Sequence, residues 1–179
     1  MHLSGKRVAI IATDHFEEAE LTSPRDALVE AGAAVDIIAP KSGEIQGVKH
    51  RELGAKVAVD KTLDEADPND YDALVVPGGA LNADHLRMEQ KARDFLRKIM
   101  DEQEKPTAVI CHGPWLLVSS GLARGKKMTS FYTIQDDIRN AGGEWTDQEV
   151  VVDGNLITSR SPTDLPAFNK ALLNALAAK

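Results

Sequence analysis

Apolar residues in this chain gather into short unbroken runs, separated by longer stretches with helical spacing. Arg7 to Ala12 (RVAIIA), Ala34 to Ala39 (AVDIIA), Asp72 to Val76 (DALVV) and Thr107 to Ile110 (TAVI) are the runs. Continuous runs of this kind suit strands covered on both faces. Between them, a helix is predicted from about Glu17 to Ala31, interrupted near Ser23-Pro24 and stopped by Gly32. A second runs from Asn82 to Met100, with Leu86, Phe95, Leu96 and Ile99 as its apolar stripe. Residues 43 to 60 hold Gly43, Gly47 and Gly54 among short alternating runs and predict a hairpin excursion before Val57 to Val59.

Pro114 opens another helical segment, reaching Ser120, because a proline in the first turn has no N–H to leave unpaired. Further helices are predicted over Thr133 to Ala141, closed by Gly142-Gly143, and over Leu165 to Ala178. Asp153-Gly154 is a hairpin turn between short strands at Glu149 to Val152 and Asn155 to Thr158. Strands alternating with helices predict an α/β fold, a mostly parallel sheet between two helix layers. No repeat, low-complexity tract or long linker divides the chain, so one domain over residues 1–179 is expected. Ligands of such folds bind beyond the carboxyl ends of the strands, where Ala12–Asp14, Pro77–Gly79 and Cys111–His112 would meet.

Composition narrows the partners. A net charge of −7 argues against nucleic acid or an acidic membrane as the main partner, since both demand a basic surface. The single cysteine cannot form an intrachain disulfide. Met1 to Arg7 is polar, without the apolar core of a signal peptide, and no stretch approaches a membrane span. A cytoplasmic location is expected. His2, His15, His50 and His85 are scattered without metal-ligand spacing, so neither metal nor cofactor is assigned.

The chemistry centres on Cys111, where strand 107–110 ends in Cys111-His112-Gly113 and Pro114 starts a helix. A tight turn there would push the sulfur outward as a nucleophile elbow presents its serine, and the helix end would favour thiolate. Glu17, Glu18 and Glu20 follow the first strand. Glu17 and Glu20 share a helix face and Glu18 diverges, reading as a solvated first-turn acid. A carboxylate facing the end of the first strand would share a proton with Cys111, Glu20 being the first choice and Glu17 the second. Pro77-Gly78-Gly79 ends another strand with two residues lacking Cβ, so its N–H groups can turn to a ligand. Gly79 N–H and His112 N–H are candidate oxyanion-hole donors. His112 itself could act as base, donate to a substrate oxygen, or pack near Trp115. No histidine follows His112, so a Cys–His–Glu triad with a distal histidine, of the glutamine amidotransferase kind, cannot be built.

These residues resemble the PfpI family of the ThiJ/PfpI superfamily, which includes the Parkinson-disease-associated deglycase. The resemblance runs through FEEAEL, VVPGGA, ICHGPW, TSFYTIQDDIRNAGGEW and EVVVDGNLITSRSPTDLPAF, nearly the whole chain. It implies a flavodoxin-like three-layer sandwich forming homodimers, sometimes hexamers. The family's reactive cysteine falls on Cys111, its neighbouring histidine on His112, its cysteine-bonding glutamate on Glu20 and another recurrent carboxylate on Glu17. In peptidase-like hexamers an acid from the adjacent subunit completes a triad, and its counterpart is Asp84. The loop before Asp84 is one residue longer than in those members, and Asp reaches less far than Glu, which weighs against a peptidase. Tyr132 occupies a place where members often carry an aromatic near the pocket. The resemblance implies a stress-response, cysteine-dependent hydrolase of deglycase or glyoxalase type, acting on small carbonyl compounds or glycated protein and peptide adducts. The alternatives are a redox-sensing or chaperone protein whose Cys111 is oxidised, and an intracellular cysteine peptidase.

Overall fold

The apolar runs are strands with both faces covered, and they order the rest of the chain. The computed structural model describes all 179 residues. The first half comprises β1 (Arg7–Ile11), β2 (Phe16–Glu17), α1 (Glu18–Glu30), β3 (Ala34–Ala39), β4 (Glu44–Lys49), β5 (Glu52–Ala58), β6 (Lys61–Thr62) and β7 (Ala73–Val76). There follow α2 (Ala80–Leu86), α3 (Gln90–Arg97), β8 (Thr107–Ile110), α4 (Pro114–Ser119), β9 (Lys127–Met128) and α5 (Gln135–Asn140). The chain closes with β10 (Glu144–Trp145), β11 (Val151–Asp153), β12 (Leu156–Ser159) and α6 (Leu165–Ala177).

Seven strands form the central sheet in the order β11-β12-β8-β7-β1-β3-β6. Only β11 runs antiparallel to its neighbour. Alternation along each strand separates two cores. Val8 and Ile10 of β1 point with Val75, Ala108 and Ile110 toward Leu21 and Leu28 of α1 and Phe168 and Leu172 of α6. Ala9 and Ile11 point the other way, with Leu74, Val76 and Val109, toward Phe95 and Leu96 of α3 and Leu116 and Leu117 of α4. This is an α/β three-layer sandwich with a mostly parallel sheet, and no helix is long and apolar enough to cross a membrane.

Four local expectations are corrected. Helix α1 runs unbroken through Ser23-Pro24, with Pro24 buried inside it. Packing of α1 on α6, including an Asn169 Nδ2 to Ser23 Oγ bond of 2.8 Å, outweighs the one N–H that proline lacks. The segment 82–100 divides into α2 and α3 at Arg87–Glu89, and a π turn (Lys98–Glu102) follows α3. The segment at 133–141 begins as a short 3-10 turn over Tyr132–Ile134 before α5. Val57 belongs to β5 itself, whose hairpin with β4 extends a small sheet through β2. That hairpin leans over the carboxyl ends of β1, β7 and β8.

Candidate active site

Cys111 ends β8 with φ of +63°, a left-handed conformation rarely adopted by residues with a Cβ. The sheet and a neighbouring loop fix this geometry. Cys111 N–H donates to Ser159 O at 3.0 Å, and its carbonyl accepts from Phe131 N–H at 2.8 Å. Gly113 completes the turn where a Cβ would stand 2.9 Å from Ile110 O and from Val76 O. The result is the expected elbow, with the sulfur beside β7's end.

Glu20, in the first turn of α1, is fully buried and reaches the same point. Its Oε1 accepts from Gly78 N–H at 2.9 Å. Its Oε2 has no partner of ordinary hydrogen-bond geometry, and the Cys111 thiol is the side chain it couples to. Burial, then the charge of Glu17, push the Glu20 carboxyl up to about 8, against the pull of Gly78 N–H and the thiol. The Cys111 thiol is likewise pushed up, first by burial and then by the Glu20 charge, while Gly79 N–H and His112 N–H oppose this. A thiolate favoured by the helix end is thus not what the surroundings supply. Cys111 is 7% exposed, and desolvation exceeds what six-residue α4 can return.

The two predicted oxyanion donors, Gly79 and His112, both present their N–H groups to the sulfur. Gly79 has φ of +91°, and a Cβ there would collide with His15 O and stand 2.8 Å from Glu17 N. His112 Nδ1 lies 3.3 Å from Cys111 Sγ. Its ring stacks on Phe131 at 4.8 Å and meets Trp115 edge-on at 5.3 Å. Burial lowers its pKa, which favours the neutral ring.

Other candidates sit elsewhere than the sequence suggested. Glu17 lines the cleft but turns its carboxylate to the β4–β5 turn, accepting from His50 N–H at 3.1 and 3.2 Å. Glu18 is no free first-turn acid: it accepts from Ala55 N–H at 2.7 Å and pairs with Lys49, tying α1 to the hairpin. Tyr132 is 64% exposed, its ring tilted against that of Phe131 with centroids 4.8 Å apart, and Phe131 is the aromatic that lines the cleft. Asp84 lies exposed on α2, off the cleft. His15, one of the scattered histidines, lines the cleft with φ of +67° and a buried Nδ1 that has no partner. Its position directly after the first strand, on the predicted rim, was the signal available. The cleft measures about 800 Å³, with Ser161 and Pro162 on its far edge.

A thiol and an acid sharing a buried space, at the carboxyl ends of a parallel sheet, define a cysteine site of the nucleophile-elbow class. The model of the DJ-1/PfpI family matches residues 6–175, and the chain belongs to that family. It is 44% identical to protein/nucleic acid deglycase 2 of Escherichia coli, over 97% of this chain and 99% of that one. It is also 44% identical to deglycase PfpI of Pyrococcus furiosus, over 95% and 99%. A Bacillus subtilis relative with a provisional cysteine-protease name is 42% identical over 96% and 98%. Among solved structures, Drosophila melanogaster DJ-1beta superposes with a TM-score of 0.88 at 27% identity, covering 100% of this chain and 92% of that one.

Proposed function

We propose that this chain is a cysteine-dependent hydrolase of deglycase or glyoxalase type, with Cys111 as nucleophile and Glu20 as its proton partner. One observation carries the reading: Cys111 and Glu20 are buried together, with Gly79 N–H and His112 N–H on the sulfur and nothing else on Glu20 Oε2. Such a pair titrates as a unit. It holds two protons until the first leaves near the Glu20 value of about 8. That proton leaves the carboxyl, because burial holds the thiol's own proton more tightly, and the Glu20 carboxylate then takes the thiol proton as the sulfur attacks, while the Gly79 and His112 N–H groups steady the forming thiolate. In the first step the sulfur adds to a carbonyl carbon, a C–S bond forms, and the carbonyl π pair moves to oxygen. The N–H groups of Gly79 and His112 then hold that oxygen, and Glu20 returns its proton to it. With a 2-oxoaldehyde the carbinol C–H proton next moves to the neighbouring carbonyl carbon, so that C1 is oxidised as C2 is reduced and a 2-hydroxy thioester forms; water then cleaves its C–S bond, releasing a 2-hydroxy acid and restoring the thiol.

The names of the relatives support this reading over the peptidase one. A peptidase with a three-residue machinery would need Asp84 from a second copy, since within one chain Asp84 lies off the cleft. Purified protein should consume methylglyoxal or hydrolyse its adducts, faster as pH rises through about 8, and Cys111→Ser should abolish this. Equal turnover by the two proteins would end the proposal.

A further inference from the structure

The β4–β5 turn carries His50 and Arg51 to the edge of the cleft. Arg51 is the only lysine or arginine lining it. Lys49, the nearest cation before it, pairs with Glu18 at 3.3 Å, and Lys41 pairs with Asp14 at 2.7 Å. Arg51 has no acid within 4.0 Å and no side-chain hydrogen bond, so its charge faces the cleft unmatched in a chain of net charge −7. The turn that bears it is held. His50 takes a left-handed φ of +59°, and its N–H is fixed by the Glu17 carboxylate. His15, which also lines the cleft, is tied to the same hairpin through its N–H, which donates to Gln46 O at 2.6 Å. Both cleft carboxyls are engaged, Glu17 by His50 and Glu20 by Gly78 and the thiol.

We infer that the cleft selects substrates bearing an anionic group, a carboxylate or a phosphate near the reacting carbonyl, and that Arg51 binds that group. Arginine suits the task because its planar fork matches either oxyanion in two-point contact. This rests on the Cys111 reading only for what happens after binding; the recognition itself is a property of the hairpin tip.

Two measurements test it without assuming a substrate. The first compares alkylation of Cys111 by iodoacetate, an anion, with alkylation by neutral iodoacetamide, each displacing iodide from the same carbon. The ratio of the two rates should fall about fivefold in Arg51→Gln, a change of the size one weakly screened charge gives at contact distance. Added salt should shrink the wild-type ratio toward that of the variant. An identical ratio in both proteins at low ionic strength overturns the inference. The second follows backbone amides by NMR while inorganic phosphate or acetate is added. Shifts at His50, Arg51 and Leu53 that Arg51→Gln removes support it, and the anion that saturates at lower concentration separates phosphate from carboxylate. Shifts absent there, or unchanged in the variant, overturn it. Loss of turnover in Cys111→Ser speaks to the nucleophile alone, so the two readings fail separately.

Discussion

Gly78 donates its N–H to Glu20 Oε1 at 2.9 Å, and a Cβ on Gly78 would stand 2.5 Å from that same oxygen. The same Cβ would stand 2.6 Å from Cys111 Cβ. Gly78 is therefore the floor on which acid and thiol rest, and its lack of a side chain sets their separation. Gly78→Ala should push Glu20 and the elbow apart and cost about 1–3 kcal/mol by overpacking. Gly154→Ala is the control. Its φ of +58° penalises a Cβ, but nothing lies within 4 Å. Urea denaturation should show both variants weakened, whereas Cys111 alkylation should change only in Gly78→Ala. An unaltered alkylation rate in Gly78→Ala would show that the spacing of the pair is immaterial.

The Glu20 carboxyl makes stability depend on pH. Its folded value, about 8, lies above the ordinary carboxylate value of 4.5. A group raised in this way stabilises the fold fully below its unfolded value and loses that contribution as pH rises through the folded one. Wild-type melting temperature should therefore fall between about pH 5 and pH 9. Glu20→Gln keeps the Oε1 that accepts from Gly78 and cannot ionise, so it should flatten that fall and melt higher than wild type at the alkaline end. Calorimetry across the range checks this, and parallel curves for the two proteins would contradict it.

The central architecture was legible because parallel strands are buried on both faces and declare themselves as unbroken apolar runs. The bounds of β3 and β8 agree with the pattern, and the elbow at Cys111 follows from the strand ending where Gly113-Pro114 forces a turn. The periphery was less legible for physical reasons. Pro24 predicts a break on local grounds, and only contacts with α6, distant in sequence, keep α1 whole. Glu18 looks like a solvated acid until the hairpin, some thirty residues on, brings Ala55 N–H to it. Phe131 is unremarkable in sequence, since tertiary packing alone puts it on the cleft wall. The weak acidity of the thiol is not legible locally, because burial, a property of the whole fold, outweighs a short helix.

Strain at Cys111 should be measurable by removing the sulfur in two ways. Both Cys111→Ala and Cys111→Gly lose the thiol and leave a similar small void. Only glycine relaxes the φ of +63°. Left-handed backbone disfavours a residue with a Cβ by about 1 kcal/mol, and Cys111→Gly should exceed Cys111→Ala in stability by that amount. Chemical denaturation of the pair decides it. If alanine proves the more stable, the elbow holds its shape without strain, and the Phe131 and Ser159 backbone contacts define its preferred conformation.

Glu17 is assigned to the hairpin rather than to the sulfur, and that assignment separates it from Glu20 in experiment. Its carboxylate accepts the His50 N–H on both oxygens and lies 3.7 Å from His50 Nδ1. Glu17→Ala removes the acceptor and leaves that N–H to solvent, a loss of about 1 kcal/mol for a hydrogen bond to a charged group that is partly exposed. It also removes the negative charge that helps raise Glu20, so the first proton of the thiol–acid pair should leave at lower pH. Hydrogen exchange at the His50 amide should speed up while amides in β1, β7 and β8 keep their protection. The pH at which Cys111 alkylation accelerates should move down, the opposite of what losing a base that acts on the thiol would produce. An upward shift, or loss of alkylation at every pH, would return Glu17 to the side of the sulfur.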